Sequence, residues 1–307
     1  MSARNHRRRQ QHSKTVTDPR KPQVIVETLA DFYSFNLGNT RSIEIYLPPD
    51  YHSATERLYK VLYVNDGQDM PGLRLKETLE KLYAKKRIER IIVVAIYASA
   101  DRFNEYGTAG IPNARHLGRR ASAYTRLLIE EVMPYVERRY RTLTGSANTA
   151  IMGWSLGGLA AFDIAWHHAD RFGTVGAFSG SFWWRTDNTD PKSQQSSRIA
   201  HRVVRASQKR PELRLWFEAG TADEIADRDQ DGRIDAIQDT LELIDGLESV
   251  GYRRGAELAY VEMKGGRHDQ ATWAKALPIF LRWAFPTSRW SILLAKIAAK
   301  LRLKLRK

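Results

Sequence analysis

The sequence predicts an α/β protein built on one doubly wound, mostly parallel sheet. Short apolar segments alternate with segments of helical periodicity along most of the chain, which is typical of βαβ units. The segment 91–96 is continuously apolar and largely β-branched, as expected for a strand buried on both faces. Hydrophobic residues make up 42% of the 307 residues, yet no uncharged apolar run approaches the ~18 residues of a membrane span. We therefore expect a soluble globule with a sizeable core.

The elements follow one another in a regular order. Strands are predicted at 42–47, 59–64, 91–96, 149–152, 175–178, 213–218 and 258–261, and helices at 73–86, 123–140, 159–168, 239–250 and 272–285. No internal repeat interrupts this alternation. One catalytic domain over residues 23–286 is the resulting prediction.

The charge sits at the two ends of the chain. Of the net charge of +14, residues 1–22 contribute +6 and residues 287–307 contribute +7, which leaves +1 for the rest. A nucleic-acid-binding domain would carry a basic face on its folded part, so no nucleic acid is expected as a partner. Residues 1–22 are polar and aperiodic and are predicted to be disordered. They contain no readable signal sequence, so a cytoplasmic protein is expected.

The absence of cysteine narrows the chemistry further. It excludes disulfides, thiolate metal sites and a cysteine nucleophile.

One pentad carries the main chemical signal. Gly153, Trp154, Ser155, Leu156 and Gly157 follow an apolar strand segment and precede a helical one. This pattern is typical of a nucleophile elbow, in which a strained serine sits on a sharp strand-to-helix turn. The flanking glycines would let backbone segments approach closely enough to expose the serine hydroxyl. The pentad predicts an α/β-hydrolase fold with Ser155 as nucleophile, and a structural glycine turn is the alternative.

An acid and a histidine follow in the order that such a triad requires. The strand 213–218 leads to Asp223, which is the predicted orienting acid, with Glu224 as the alternative. The last strand leads through two glycines to His268, the predicted general base. Among the other histidines, His201 also follows the serine, but it is expected on a surface segment.

The oxyanion hole needs two backbone donors. Leu156, directly after the serine, is expected to supply one N–H group. The loop that begins at Asp66 and Gly67 follows an early strand, and Gln68 in it is the candidate for the second donor. A simple Asp-Gly turn is the alternative for this loop.

At this point the sequence resembles the putative-esterase family of α/β hydrolases, which includes esterase D-like enzymes, feruloyl esterases and enterochelin esterases. The resemblance rests on the segments 66–68, 102–106, 153–157, 179–184 and 265–269. It implies a carboxylic ester hydrolase that needs no organic cofactor, with Ser155, Asp223 and His268 at the matching positions. The partner would be a small-molecule ester.

Aromatic residues near the serine are the candidates for substrate contact. Phe182, Trp183 and Trp184 form a cluster similar to that of siderophore esterases, and Trp154 lies beside the serine. An apolar wall without substrate contact is the alternative, because aromatic side chains bury large areas anywhere.

An acidic loop matches part of a calcium-binding pattern. Asp227, Asp229, Asp231 and Asp235 alternate as in a calcium loop, but Gln238 stands where such loops carry a bidentate glutamate. A structural calcium ion is one interpretation. A solvated loop that caps the next helix is the other.

The C-terminal segment 287–307 is predicted to be a basic amphipathic helix. Its apolar face would contain Trp290, Leu293, Leu294, Ile297 and Leu301. Such a helix binds either an anionic membrane surface or a protein, and both interpretations stay open.

Two other functions remain to be weighed against ester hydrolysis. An acyltransferase would use the same triad, and competition between acceptor and water would distinguish it. A non-catalytic binding protein on a hydrolase scaffold, tethered by its basic ends, is the alternative of a different class. The complete set of triad residues argues against that alternative.

Overall fold

The computed structural model describes residues 23–255 and 257–287. In these residues one eight-stranded sheet runs through the molecule, with helices packed on both faces. The strands are β1 (Ile25–Ser34), β2 (Asn39–Leu47), β3 (Lys60–Asn65), β4 (Ile91–Ile96), β5 (Thr149–Trp154), β6 (Thr174–Phe178), β7 (Arg214–Ala222) and β8 (Leu258–Arg267).

The helices alternate with the strands along the chain, and the last helix follows β8. They are α1 (Met70–Leu73), α2 (Leu75–Ala84), α3 (Arg102–Glu105), α4 (Ala121–Arg126), α5 (Met133–Arg139), α6 (Leu156–His167), α7 (Pro191–Ser196), α8 (Ile199–Arg205), α9 (Asp235–Ser249) and α10 (Gln270–Ala284). A π-helical segment, Leu127–Val132, joins α4 to α5, and short 3₁₀ helices occupy Gly67–Asp69 and Ser146–Asn148.

The strand order is β1-β2-β4-β3-β5-β6-β7-β8. The pairs β1–β2 and β2–β4 are antiparallel, and all later neighbours are parallel. The prediction of a mostly parallel, doubly wound sheet is therefore confirmed. In such a sheet the carboxyl ends of the parallel strands meet at one edge, where loops can form a site.

Two hydrophobic cores cover the two faces of the sheet. One packs α4 through α6 together with α8 and α9 against the sheet, and it contains Phe162, Trp166 and Phe217. The other packs α1, α2 and α10 against the opposite face, with Trp216 and Phe280 at its centre. Because β3 through β7 are buried on both faces, their sequences read as continuous apolar runs.

The structure adds elements that the sequence pattern does not indicate. Strand β1 lies at the edge of the sheet, where its residues alternate between exposed and half-buried, so its apolar signal is weak. Strands β7 and β8 extend beyond the predicted ends at 218 and 261. Helices α3, α7 and α8 are short segments of four to seven residues.

The predicted tail at 1–22 and nearly all of the predicted C-terminal helix lie outside the described residues. Within the described part of the chain, no helix is long and apolar enough to cross a membrane.

Candidate active site

Ser155 lies on a sharp turn between β5 and α6. Its backbone has φ 54° and ψ −127°, a conformation that a residue with a side chain adopts only at a cost of about 1–3 kcal/mol. The turn is fixed from both sides, because Ser155 N donates to the Phe178 carbonyl (2.9 Å) and the Ser155 carbonyl accepts from Ser181 N (3.0 Å). The side chain itself is half-buried rather than enclosed. This is the geometry expected for a nucleophile elbow.

The glycines around Ser155 are required by close backbone approach. A Cβ atom on Gly153 would lie 2.4 Å from the Gly157 carbonyl oxygen, and one on Gly157 would lie 2.6 Å from Oδ2 of Asp66. Both distances are too short for non-bonded atoms. The glycine pattern therefore has a steric cause in this fold, since it lets the turn pack against the loop after β3.

The strand register brings Asp223 and His268 to the same edge of the sheet. Ala222 at the end of β7 pairs with Arg267 at the end of β8. Asp223 and His268 are the residues that directly follow these two strand ends. The two loops are joined there, because Gly265 N donates to Thr221 Oγ1 (2.8 Å). The predicted acid and base therefore follow neighbouring strand ends.

The electrostatics distinguish Asp223 from the alternative acid. Among the groups that act on the pKa of His268, the Asp223 carboxylate raises it, against a larger lowering by burial and a further lowering by Arg102. The net result is a lowered pKa, which keeps the imidazole neutral at neutral pH. Glu224 is exposed, and the charged groups that raise its pKa are carboxylates, first Asp235. The geometry favours Asp223 as the partner of His268.

An ion pair joins the loop after β3 to the segment that begins at α3. Asp66 has a left-handed backbone (φ 59°), and its carboxylate accepts from Arg102 Nε (2.6 Å) and Nη2 (2.7 Å). Tyr106 on the same segment accepts from Asp66 N (3.1 Å). This bidentate pair joins two of the segments that carry the family resemblance, and the sequence analysis does not foresee it.

The two predicted oxyanion donors lie on the serine turn and on the loop after β3. Leu156 is the first residue of α6, where backbone N–H groups have no partner within the helix. Gln68 is part of the 3₁₀ turn after β3, and its side-chain oxygen accepts from Ala98 N (3.0 Å). Their role as donors stays a prediction.

A buried polar cluster lies next to the predicted acid and base and is not among the sequence predictions. Glu218 on β7 is fully buried, and its Oε2 lies 3.4 Å from Ser179 Oγ. Trp273 on α10 donates from Nε1 to the same hydroxyl (2.9 Å) and packs edge-on against the His268 ring, with centroids 5.2 Å apart. Burial raises the pKa of Glu218 to about 8, and Asp223 adds to the effect. A glutamate within an otherwise apolar strand is the signal that could have revealed this cluster.

Most of the aromatic residues predicted to contact substrate belong to the core instead. Trp154, Phe182 and Trp184 are each 2% exposed or less, so this part of the prediction is wrong. Trp154 donates to Asp69 Oδ2 (2.9 Å), and Trp184 fills the space beside Gly107. Trp183, which is 39% exposed, is the one member of this set with an exposed side chain, and its contact with substrate stays a prediction.

Three of the four predicted calcium ligands lie close together in the structure. Carboxylate oxygens of Asp227, Asp229 and Asp231 lie within 4.8 Å of one another, as a hard cation would require. Asp235 is wrong as a fourth ligand, because it caps the Arg228 backbone N–H (2.9 Å) and pairs with the Arg228 guanidinium. Calcium binding by the other three residues stays a prediction.

His201 is also placed differently from the prediction. It is 2% exposed and its Nε2 contacts the Asp239 carbonyl at 2.8 Å. Burial lowers its pKa to about 3. The expected surface position is therefore wrong. His201 lies on α8, and its side chain is buried against α9.

Comparison with known proteins agrees with the fold. The sequence model described as Putative esterase matches residues 34–284. Among solved structures, a ferulic acid esterase superposes with a TM-score of 0.67 at 20% identity and covers 86% of this chain and 98% of its own. The ferric enterobactin esterase of Salmonella typhimurium superposes with a TM-score of 0.68 at 19% identity, covering 90% of this chain and 61% of its own. These similarities confirm the α/β-hydrolase fold.

Two similar sequences differ in how much of their own length is matched. A xylanase/feruloyl esterase of Xylanibacter ruminicola is 26% identical over 53% of this chain, and the match spans only 22% of that longer protein. Protein YbbA of Bacillus subtilis, whose function is uncharacterized, is 21% identical over 82% of this chain and 95% of its own length.

Proposed function

Because the chain belongs to the Putative esterase family, whose model matches residues 34–284, we propose that it is a serine-dependent carboxylic ester hydrolase. The observation that carries the proposal is the strained backbone of Ser155 at the turn between β5 and α6. Strain of this kind persists only where the surrounding structure enforces it and is concentrated at functional sites. It supports Ser155 as the nucleophile.

Acylation would use the groups at the carboxyl edge of the sheet. Ser155 Oγ attacks the ester carbonyl carbon while His268 accepts the hydroxyl proton. The alcohol then leaves with the proton from His268, and the acyl group remains on Ser155. Asp223 holds the imidazole in the required tautomer and stabilises the imidazolium that forms. The lowered pKa of His268, caused first by burial, keeps it available as a base at neutral pH.

Deacylation would repeat the same proton movements with water. His268 takes a proton from water, the resulting oxygen attacks the acyl carbonyl, and Ser155 leaves with the proton from His268. In both halves the oxyanion would be held by the N–H groups of Leu156 and Gln68. Removal of one such donor in other serine hydrolases costs about 10²–10³ in kcat.

The substrate class is proposed from the neighbours. The solved structures similar to this chain include esterases of ferulic acid and of enterobactin, and one enterobactin esterase was determined with 2,3-dihydroxy-N-benzoyl-serine, which carries an aromatic acyl group. Exposed Trp183 supplies an aromatic surface in the loop that follows Ser181, whose N–H contacts the Ser155 carbonyl. We therefore propose a small or medium ester as the substrate, and an ester with an aromatic acyl group is the first to test.

The experiment is hydrolysis of p-nitrophenyl esters from acetate to octanoate, with methyl ferulate as an aromatic substrate. Wild type is compared with Ser155→Ala and His268→Ala. Loss of activity by about 10³ or more in both variants is expected for triad residues. Asp223→Asn should lower kcat strongly, whereas Glu224→Gln, the matched control, should not.

Reactivity with a fluorophosphonate separates catalysis from simple binding. Folded wild type should be labelled at Ser155, and Ser155→Ala should not be labelled. If folded wild type neither labels nor hydrolyses any of these esters, the enzyme assignment is wrong and the binding-protein alternative is favoured.

A further inference from the structure

Glu218 is a carboxyl group placed in an apolar row of the sheet. In the register of β5, β6, β7 and β8, Trp154, Phe178, Glu218 and Val261 lie side by side. Helix α10 covers this row, and Glu218 is 0% exposed. A charge at such a position costs several kcal/mol unless it is paired, and Oε1 of Glu218 has no hydrogen-bond partner. The neutral acid is therefore the form that suits the site.

The position of Ser179 connects this acid to the triad. Its backbone is left-handed (φ 43°) and its N–H donates to the Glu218 carbonyl (2.8 Å). Its hydroxyl accepts from Trp273 Nε1 (2.9 Å) and lies 3.4 Å from Glu218 Oε2. Burial raises the pKa of Asp223, and the nearby Ser179 side chain opposes this shift. Both carboxylate oxygens of Asp223 are buried without a hydrogen-bond partner, so the Ser179 hydroxyl is a donor available to them.

The hydrogen-bond donors around Ser179 determine which acceptor its own hydroxyl hydrogen can reach. A hydroxyl oxygen accepts two hydrogen bonds and donates one, and Trp273 uses one of the two lone pairs. If Glu218 is protonated, it can donate to the second lone pair, and the hydroxyl hydrogen of Ser179 is then free for Asp223. If Glu218 is ionised, it can only accept, so it competes with Asp223 for that hydrogen.

We propose that Glu218 acts as a neutral carboxylic acid that positions the triad, donating a hydrogen bond to Ser179 so that the Ser179 hydroxyl is directed to Asp223 while Trp273 is held against His268. Glu218 touches no reacting atom and is a positioning residue. The inference rests on the proposed function for its effect on turnover, whereas the protonation state of Glu218 is independent of it.

The ionisable groups near Glu218 determine how it responds to pH. Burial raises the pKa of Glu218, Asp223 just after the same strand adds to that effect, and Tyr260 on β8 is a further titratable neighbour. His268 faces the cluster through Trp273, and Asp69 faces it through its bond to Trp154. Glu218 ionises around pH 8, so triad positioning should weaken above that pH.

The test compares three variants in kcat and KM between pH 5 and pH 10. Glu218→Leu, which suits the apolar row, and Ser179→Ala should each lower kcat roughly ten- to a hundredfold, as expected when a catalytic group is slightly misplaced, with KM little changed. The double variant should be no worse than either single one, because both break the same chain of hydrogen bonds. Glu218→Gln, whose amide can still donate, should restore most of the loss.

The pH profile is the sharper measurement. Wild type should lose activity above pH 8, and Glu218→Gln should not, because its amide does not ionise. The proposal is overturned if Glu218→Leu matches wild type in kcat and profile, or if Glu218→Gln shows the same alkaline decline. If Glu218→Leu fails to fold, Glu218→Gln alone decides.

Infrared spectroscopy separates this inference from the proposed function. The difference spectrum between wild type and Glu218→Gln should show the carbonyl band of a neutral carboxylic acid at pH 7 and its loss above pH 9. Absence of the band at pH 7 overturns the inference even in an active enzyme. A band present in a protein without ester hydrolysis means that the proposed function fails, and the rate of fluorophosphonate labelling at Ser155 then reports the positioning effect.

Discussion

Replacement of Glu218 by glutamine should stabilise the protein relative to wild type increasingly as the pH rises. The compared quantity is the difference in unfolding free energy between Glu218→Gln and wild type. Burial raises the pKa of Glu218 from 4.5 to about 8. Below pH 4.5 the group is protonated in both the folded and the unfolded chain, so its contribution to stability is fully present. Between these values the unfolded chain releases the proton and the folded chain keeps it. The free energy of unfolding therefore falls as pH rises through this window.

The magnitude follows from the shift. A tenfold change in an acid dissociation constant corresponds to about 1.36 kcal/mol, so raising the pKa of Glu218 from 4.5 to about 8 lowers the free energy of unfolding by about 5 kcal/mol once the group is ionised in both states. Integration between pH 5 and pH 8 gives about 3–4 kcal/mol. Glutamine has no proton to release, so the difference in unfolding free energy between Glu218→Gln and wild type should grow by about this amount over that range.

Urea unfolding followed by circular dichroism at pH 5 and pH 8 gives the unfolding free energy of each protein. The change with pH in the difference between variant and wild type isolates residue 218, because titrating groups that the substitution leaves unaffected cancel. Glu56→Gln, at an exposed glutamate, is the matched control and should show no comparable growth. A Glu218→Gln effect that is equal at the two pH values would refute the claim that Glu218 is neutral in the folded protein.

Three further outcomes are expected. Because burial lowers the pKa of His268, activity should be lost on the acid side only below the ordinary histidine value of 6.5, and a midpoint of kcat/KM above that value would contradict the assignment. Gly157→Ala should lower stability by about 1–3 kcal/mol as well as activity, because its methyl group would lie 2.6 Å from Asp66 Oδ2; thermal unfolding and ester hydrolysis measure both. Calcium should raise the melting temperature of wild type but not of Asp229→Asn if the acidic loop binds it, and equal shifts in both would exclude that loop.

The central strands are predictable because burial on both faces leaves a continuous apolar signal. The segment 91–96 is identical to β4 in its bounds, and the serine turn is indicated by glycines whose steric need the structure explains. Edge strand β1 and short helices such as α3 leave no comparable pattern, since exposed residues are free to vary. Aromatic content is a poor guide to substrate contact for a similar reason, because Phe182 and Trp184 serve the core equally well.

Long-range polar contacts could not be predicted from local patterns. The bond from Trp273 to Ser179 joins residues 94 positions apart, and the contact from Ser179 to Glu218 spans 39. Each residue alone is unremarkable within its strand, turn or helix. Their relation becomes visible only once the register of β6 and β7 brings Ser179 and Glu218 together and Trp273 packs against His268.

The choice between Asp223 and Glu224 shows what register adds to sequence order. A strand that ended at 218, as the sequence pattern predicts, would leave either carboxylate free to reach the histidine loop. Because β7 continues to Ala222 and pairs it with Arg267, Asp223 and His268 each directly follow a paired strand end, whereas Glu224 is exposed and lies near Asp235. The same extension brings Asp223 close enough to raise the pKa of Glu218 further, so the strand end that favours Asp223 as the acid of the proposed triad also favours a neutral Glu218 beside it.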